Sequence, residues 1–335
     1  MNYVSLPREM VKIGNTDLGK YPVFLAPMED VTTPVFRSVC KSFGVDMMFT
    51  EFISSEGIIR GGKKGMEKLD IGDEERPIGI QIYGHIIESM VEAAMIAEKY
   101  HPDVIDLNFG CPVKKIAARG AGAGLLKDIP KMTEMTKRIV EAVKVPVTAK
   151  TRLGWDEKSV NIVEAAEKLQ DAGIQAIFIH ARTKTQMYGG QADWKPIGQV
   201  KKNPRMHIPV IGNGDIDSPG TAKAMFDTYK VDGIMIGRAC IGKPWIFEEI
   251  RYYLQHGEYL PEKSLPEIVQ IVRTHLQKSI DFYGERVGIL LMRRHLAKCF
   301  KGLKNFRDTR VKLLTSENQE EITGILDAIA RGERI

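Results

Sequence analysis

Along this chain, short apolar runs of strand length alternate with longer stretches in which apolar residues recur at helical spacing. The runs fall at 23–28, 47–52, 78–83, 104–109, 145–150, 176–180, 208–211 and 233–236, eight in all. Amphipathic segments follow most of them, clearest at 87–100, 131–143, 159–172, 194–201 and 219–229, and the link after Phe52 is the weakest. Thr33-Pro34 marks a further helix start, because proline in a first turn gives up an N–H that has no partner there. Strands apolar on both faces and separated by helices pair in parallel, and right-handed crossovers repeated around a sheet close it. The pattern predicts a (β/α)8 TIM barrel ending near residue 240. An open doubly wound sheet would need a Gly-x-Gly-x-x-Gly turn after its first strand, where Ala26-Pro27-Met28-Glu29-Asp30 stands instead.

Both ends of the chain depart from this alternation. Residues 1–22 carry two short strand candidates around Gly14-Asn15, a hairpin that would cap something larger. After Pro244-Trp245 only helical spacing remains, at 247–256, 265–283, 288–300 and 317–331. A barrel domain at 1–244 and a small all-helical domain at 245–335 are expected.

With 43% hydrophobic and 27% charged residues among 335, the chain is an ordinary globular protein, and disordered and fibrous classes are excluded. The net charge of +5 says little until its distribution is read. Between Arg286 and Lys312 lie nine basic residues against the single acid Asp308. Arg294, Lys298 and Lys301 share one helical stripe with Arg293 beside it, a pattern suited to phosphates at spacings fixed by RNA shape. The four cysteines are scattered, with no metal-ligand spacing, so reduced thiols and no metal are expected. No apolar signal core or membrane-length run is present, which makes the expected location cytoplasmic with no membrane contact. Nothing points to an obligate protein partner.

In a barrel the loops after the strands build the active face. Those ends hold Ala26, Pro27 and Met28, then Gln81, Asn108 and Cys111, then Lys150 and Arg152, His180 and Arg182, Asn213, Gly214 and Asp215, and Gly237 and Arg238. Gly110 and Pro112 force a turn around Cys111 and place a thiol at the sheet lip. Glycines at the last two strand ends, beside Arg238, suit a phosphate ester. Lys150 fits either a Schiff base or a charge beside a flavin ring, and Gln81 with the Ala26-Pro27-Met28 turn favours a flat ring.

The segments Asp106-Leu107-Asn108-Phe109-Gly110-Cys111-Pro112, Arg119-Gly120-Ala121-Gly122-Ala123-Gly124, Lys150-Thr151-Arg152, His180-Ala181-Arg182-Thr183, Gly212-Asn213-Gly214-Asp215 and Gly237-Arg238 resemble the tRNA-dihydrouridine synthases, above all their bacterial B-type branch. The resemblance runs from residue 11 to about 310. It implies an oxidoreductase that holds FMN, draws on NADPH and reduces the C5=C6 bond of particular uridines in tRNA. Hydride would pass from the flavin to uracil C6, and Cys111 would protonate C5. Gln81, Lys150 and His180 would contact the ring, Ala26, Pro27 and Met28 would line it, and Asn213, Gly214, Asp215, Gly237 and Arg238 would hold the phosphate. Asn108 would grip the uracil edge by donating and accepting, and Lys114, Arg119, Arg152, Arg182, Arg293, Arg294, Lys298 and Lys301 would meet RNA. The glycines of the 113–124 loop would let it close. One departure stands out: where family members often carry an aromatic pair after Arg-x-His, this chain has Lys298-Cys299-Phe300. A flavin barrel for free pyrimidines, a non-catalytic RNA binder and a Schiff-base aldolase using Lys150 are the competing readings.

Overall fold

The computed structural model describes residues 9–300, 302–303 and 306–333. A hairpin of β1 (Lys12–Ile13) and β2 (Thr16–Asp17) leads into β3 (Val23–Leu25) and α1 (Pro34–Ser42). β4 (Met48–Phe49), β5 (Ile53–Ser54), α2 (Ser55–Ile59) and α3 (Lys63–Leu69) follow. The alternation continues through β6 (Ile78–Tyr83), α4 (Ile87–Glu98), β7 (Val104–Phe109), α5 (Lys114–Ala117), α6 (Ile129–Ala142), β8 (Val147–Arg152) and α7 (Ile162–Asp171). It ends with β9 (Ile177–His180), α8 (Lys195–Lys202), β10 (Val210–Asn213), α9 (Pro219–Tyr229) and β11 (Gly233–Ile236). Then come α10 (Ile246–His256), α11 (Leu265–Tyr283), α12 (Glu285–Cys299), α13 (Arg307–Thr315) and α14 (Gln319–Ala330).

The strands from β3 to β11 pair in parallel in the order β3-β11-β10-β9-β8-β7-β6-β4, and a parallel bridge from Phe24 to Met47 closes the ring. The result is the expected (β/α)8 barrel. Its strands are apolar on both faces because one side meets the helices and the other fills the interior; every residue of β7 is buried. Caps fix the helix starts. Thr33 Oγ1 accepts from the Phe36 N–H, Asp128 accepts from Lys131, and Ser218 and Thr221 form a capping box at α9.

Two features differ from the sequence reading, and a third, the end of the barrel that the hairpin caps, was left open by it. The second stave is two pieces, β4 and β5, both paired to β6, rather than one strand over 47–52. Between them the Thr50 N–H still donates to the Gly79 carbonyl at 2.9 Å, while the Thr50 hydroxyl accepts from the Gln81 N–H at 3.1 Å and Glu51 Oε1 from the Asp30 N–H at 2.6 Å. The hairpin lies at the opposite end of the barrel from the active face. Ile13 and Leu18 are buried with Phe24, Phe49 and Phe178, and Gly14, at φ 57°, sits against Pro146 just ahead of β8. Finally, α10 belongs to the barrel: Ile246, Phe247 and Ile250 are buried in its core. The second core, with Val269, Leu276, Met292, Leu313 and Leu326, begins only with α11, so the boundary lies beyond residue 244. The two cores meet where Phe36 of α1 packs on His275 and His295.

The turn after β10 is held by Trp194, whose indole N–H donates to the Gly214 carbonyl at 2.9 Å. A Cβ at Gly212 would lie 2.0 Å from Trp194 Cζ3. Gly212→Ala should therefore lose about 1–3 kcal/mol, read as a lower urea midpoint at unchanged m-value; wild-type stability would show that Trp194 moves freely.

Candidate active site

A cavity of about 560 Å³ opens at the C-terminal ends of the barrel strands. Cys111, Asn108, Lys150, Arg152, His180, Arg182, Asn213, Gly214, Asp215, Gly237 and Arg238 line it, with Ala26, Pro27 and Met28 on the β3 side and Lys298 reaching in from α12. The strand-end reading thus brought most of its residues to one place.

The Cys111 turn is held by backbone. Asn108 Oδ1 accepts the N–H of Gly110 at 3.1 Å and of Cys111 at 2.9 Å, while the Cys111 carbonyl accepts from Ala123. Burial pushes the thiol above its ordinary pKa, and a Val113 backbone bond and the Arg152 charge offset only part of that. The thiol is protonated at neutral pH. Two of the glycines that follow, Gly122 and Gly124, stand in close packing. A Cβ at Gly122 would stand 3.0 Å from Cys111 Cβ, and one at Gly124 would stand 2.5 Å from the Ala117 carbonyl. Residues 114–117 and 122–127 form short helical turns, so the 113–124 segment is a built wall.

Lys150 Nζ donates to Asn213 Oδ1 at 3.3 Å, and Asn213 Nδ2 to the Met235 carbonyl at 2.8 Å. Burial, then the Arg152 charge, lowers Lys150 to about 8, against the opposing pull of Asp106 and Cys111. His180 is held well below its ordinary pKa by burial and by Arg152, Lys150, Arg182 and Arg238, so it is neutral. Burial pushes Asp215 up, but bonds from Arg182 and Ala192 and the charges of Arg182 and Arg238 outweigh it and hold the carboxyl low.

Several expected roles change. Gln81 is fully buried beneath the cavity, bonded to Asp106 and Asn108, and does not line it. Asn108 cannot grip an edge by both donating and accepting, since its oxygen already takes two N–H groups and one N–H goes to Gln81. Arg152 spends its guanidinium on the carbonyls of Gly110, Thr183 and Met187. Arg182 spends its own on Gly189, Gly190 and Asp215. Both arginines are 2% exposed and bond to carbonyls of the 183–190 loop. Arg293 donates to the carbonyls of Thr315 and Ser316, and Arg294 reaches the Glu29 carbonyl and lies 3.8 Å from Asp30. Lys114, Arg119 and Lys298 remain exposed; Lys301 lies outside the described residues.

The sequence reading missed Tyr188, which lines the cavity with the guanidinium carbons of Arg152 and Arg238 each 5.6 Å from its ring centroid. Its place, eight residues past the β9 end, hid it, though the Gly189-Gly190 that follows marks a loop. Asp106 was also missed as a functional group; an acid inside an apolar strand was its signal. The carboxylates of Glu29, Asp30 and Glu51 cluster near the α12 contact, with Lys68 Nζ 2.7 Å from Glu29 and 3.4 Å from Glu51. No described helix is long and apolar enough to cross a membrane.

Similar folds occur in histamine dehydrogenase from Rhizobium sp. 4-9 (TM-score 0.57, 12% identity, 97% of this chain and 64% of that one) and in a morphinone reductase variant in complex with tetrahydroNAD (TM-score 0.53, 13% identity, 76% and 92%). The family model described as dihydrouridine synthase matches residues 24–331. The chain is 40% identical over 287 residues to tRNA-dihydrouridine synthase B of Pseudomonas putida, covering 85% of this chain and 84% of that protein. It is 38% identical over 302 residues to a probable tRNA-dihydrouridine synthase of Rickettsia prowazekii, covering 90% and 91%. With a match of that extent, and with Asn108, Cys111, Lys150 and Arg238 of the shared motifs gathered at one cavity, the chain belongs to the dihydrouridine synthase family and to its B-type branch.

Proposed function

We propose that this protein is an FMN-dependent tRNA-dihydrouridine synthase that uses NADPH to reduce the C5=C6 bond of uridines in tRNA, with Cys111 as the acid. The observation that carries the reading is a buried, protonated thiol at the rim of a cavity with a lysine floor and a glycine-arginine end.

The residues present suit FMN. Five basic side chains, Lys150, Arg152, Arg182, Arg238 and Lys298, line the cavity against Asp215 and Asp217. Asp215 faces both Arg182 and Arg238, so its charge is met within the site, and the cavity as a whole, with five basic side chains against two acids, is positive, as a phosphate ester requires. A Cβ at Gly237 would lie 3.8 Å from both Ala26 Cβ and Met28 Sδ, which places the glycine-arginine end beside the apolar β3 turn expected under a flat ring. When bound, FMN would supply a two-electron carrier between NADPH and the uracil.

The chain's own residues do the rest. Cys111 gives its proton to uracil C5, which needs a thiol that stays protonated at neutral pH. Asn108 keeps one N–H for a uracil carbonyl, while neutral His180 offers a ring edge without adding charge. A uridine within folded tRNA must leave its stack to enter such a cavity. Lys114 and Arg119 beside the Cys111 turn, and Lys298 on α12, are the exposed cations placed to meet the phosphates around it.

The protein incubated with an unmodified tRNA transcript and NADPH should yield dihydrouridine by nucleoside mass spectrometry. A yellow protein that forms none would overturn the proposal. Lys298→Glu should raise KM for tRNA about tenfold with kcat little changed, since a lost phosphate contact weakens binding of every substrate similarly.

A further inference from the structure

Between β6, β7 and β8 the barrel interior holds a chain of polar side chains of which the proposed reaction uses only Asn108. Asp106, 1% exposed on β7, accepts from Thr148 Oγ1 at 2.6 Å through Oδ1 and from Gln81 Nε2 at 2.6 Å through Oδ2. Gln81 Oε1 accepts from Asn108 Nδ2 at 2.8 Å. Asn108 Oδ1 then accepts the backbone N–H groups of Gly110 and Cys111 at 3.1 and 2.9 Å.

The two ends of this chain leave no freedom to its middle. A carboxylate only accepts and a backbone N–H only donates, so Gln81 must turn its NH2 to Asp106 and Asn108 must turn its oxygen to Cys111. Reversing either amide would set two donors or two acceptors face to face in a buried site, where an unmet polar group is costly. An amide or hydroxyl at position 106 could turn either a donor or an acceptor to Gln81, leaving the backbone N–H groups of Gly110 and Cys111 to hold the polarity from one end alone; the carboxylate holds it from the other.

We propose that Asp106 is a positioning residue for Cys111: through Gln81 and Asn108 its carboxylate fixes the polarity of the hydrogen-bond chain that holds the cysteine turn and keeps its thiol at the cavity rim. The inference builds on the reading of Cys111 as the acid, yet it concerns the geometry of the turn and can be tested apart from that reading. It also accounts for an acid inside an apolar strand, a placement that burial alone disfavours. Lys150, on the neighbouring strand, supplies the nearby opposite charge.

The test is a pair of variants. In Asp106→Asn the group at 106 can donate as well as accept, so the chain is held from its backbone end alone and the Cys111 turn loosens. The double variant D106N/Q81E returns an acceptor-only group to the chain, one position on: a carboxylate at 81 accepts from the amide at 106 and from Asn108 Nδ2. Two readouts apply. D106N should lower kcat about tenfold with KM for tRNA unchanged, since a small displacement of a reacting group is costly, and the double variant should recover most of it. On the free protein, the rate of Cys111 alkylation by iodoacetamide, taken against Cys111→Ala as blank, should rise about fivefold in D106N as the buried thiol opens and return in the double variant. The alkylation result stands even if the protein does not act on tRNA. Wild-type alkylation in D106N, or a double variant no closer to wild type than D106N, overturns the proposal. Should D106N fail to fold, Gln81→Met cuts the same chain while leaving Asp106 bonded to Thr148, and wild-type alkylation there overturns it equally.

Discussion

Cys111→Ala should form dihydrouridine about 10²–10⁴-fold more slowly than the wild type in a single turnover, the range a positioned general acid contributes. Structure supports reading that loss as chemistry. The turn is held by backbone groups, from Gly110 and Cys111 to Asn108 Oδ1 and from Ala123 to the Cys111 carbonyl; the sulfur adds a bond from the Val113 backbone, which alanine gives up while these three remain. Removing the thiol therefore leaves the wall in place. The neighbouring Gly122 contact is with Cys111 Cβ, which alanine keeps. Flavin absorbance and tRNA affinity should stay close to wild type. Burial raises the thiol pKa, so the wild-type acid is fully protonated at neutral pH and its contribution is lost only as pH rises through that raised value. A Cys111→Ala enzyme with near-wild-type single-turnover rates would remove Cys111 from the acid role.

How far the sequence led depends on which force decided each feature. Helices whose ends are set by local chemistry were legible: α9 runs Pro219–Tyr229 as read, started by the Ser218 box and stopped at Lys230, which has φ 57°. Likewise α11 runs Leu265–Tyr283 between the Ser264 box and Gly284. Choices made by tertiary partners were not legible. An apolar pattern says that Ile246 and Phe247 are buried, not which of two cores receives them, nor at which end of the barrel Ile13 is buried. The break in the second stave was hidden because it rests on side-chain bonds, Thr50 to the Gln81 N–H and Glu51 to the Asp30 N–H, made to residues far off in sequence.

The site divides along the same line. Reading strand ends found the cavity because topology places every stave end on one face. It said nothing of what each charge is bonded to within the chain. Arg152 and Arg182 stand at stave ends, and their guanidinium groups bond to the carbonyls of the loop that follows β9. The basic stripe on α12 likewise resolved into Arg293 and Arg294, which hold the fold together, and Lys298, which faces the cavity. That division is set by contacts far apart in sequence, which helical spacing does not reveal.

Lys150→Met should cut turnover about a hundredfold, as the loss of one fixed charge in a water-poor site does, and should change the shape of the pH profile. The lysine sits on the cavity floor, with Asn213 as its hydrogen-bond acceptor and Arg152 adding to the cost of its charge. Burial and that neighbour bring its pKa to about 8, so the ammonium is present at pH 7 and is lost as pH rises through about 8. Wild-type turnover should fall over that interval. In Lys150→Met no proton is left to lose there, and the rate should stay level through pH 8 until the Cys111 thiol, whose pKa burial has raised, begins to ionise. Flavin retention supplies a readout free of catalysis: without the ammonium, Asn213 Oδ1 faces the cavity unpaired, and more cofactor should leave on dialysis, measured by absorbance of the dialysed protein. A Lys150→Met enzyme that still loses activity at pH 8 would assign that limb to another group. A fall confined to the wild type ties the floor charge to the reaction and leaves the thiol as the remaining titrating group.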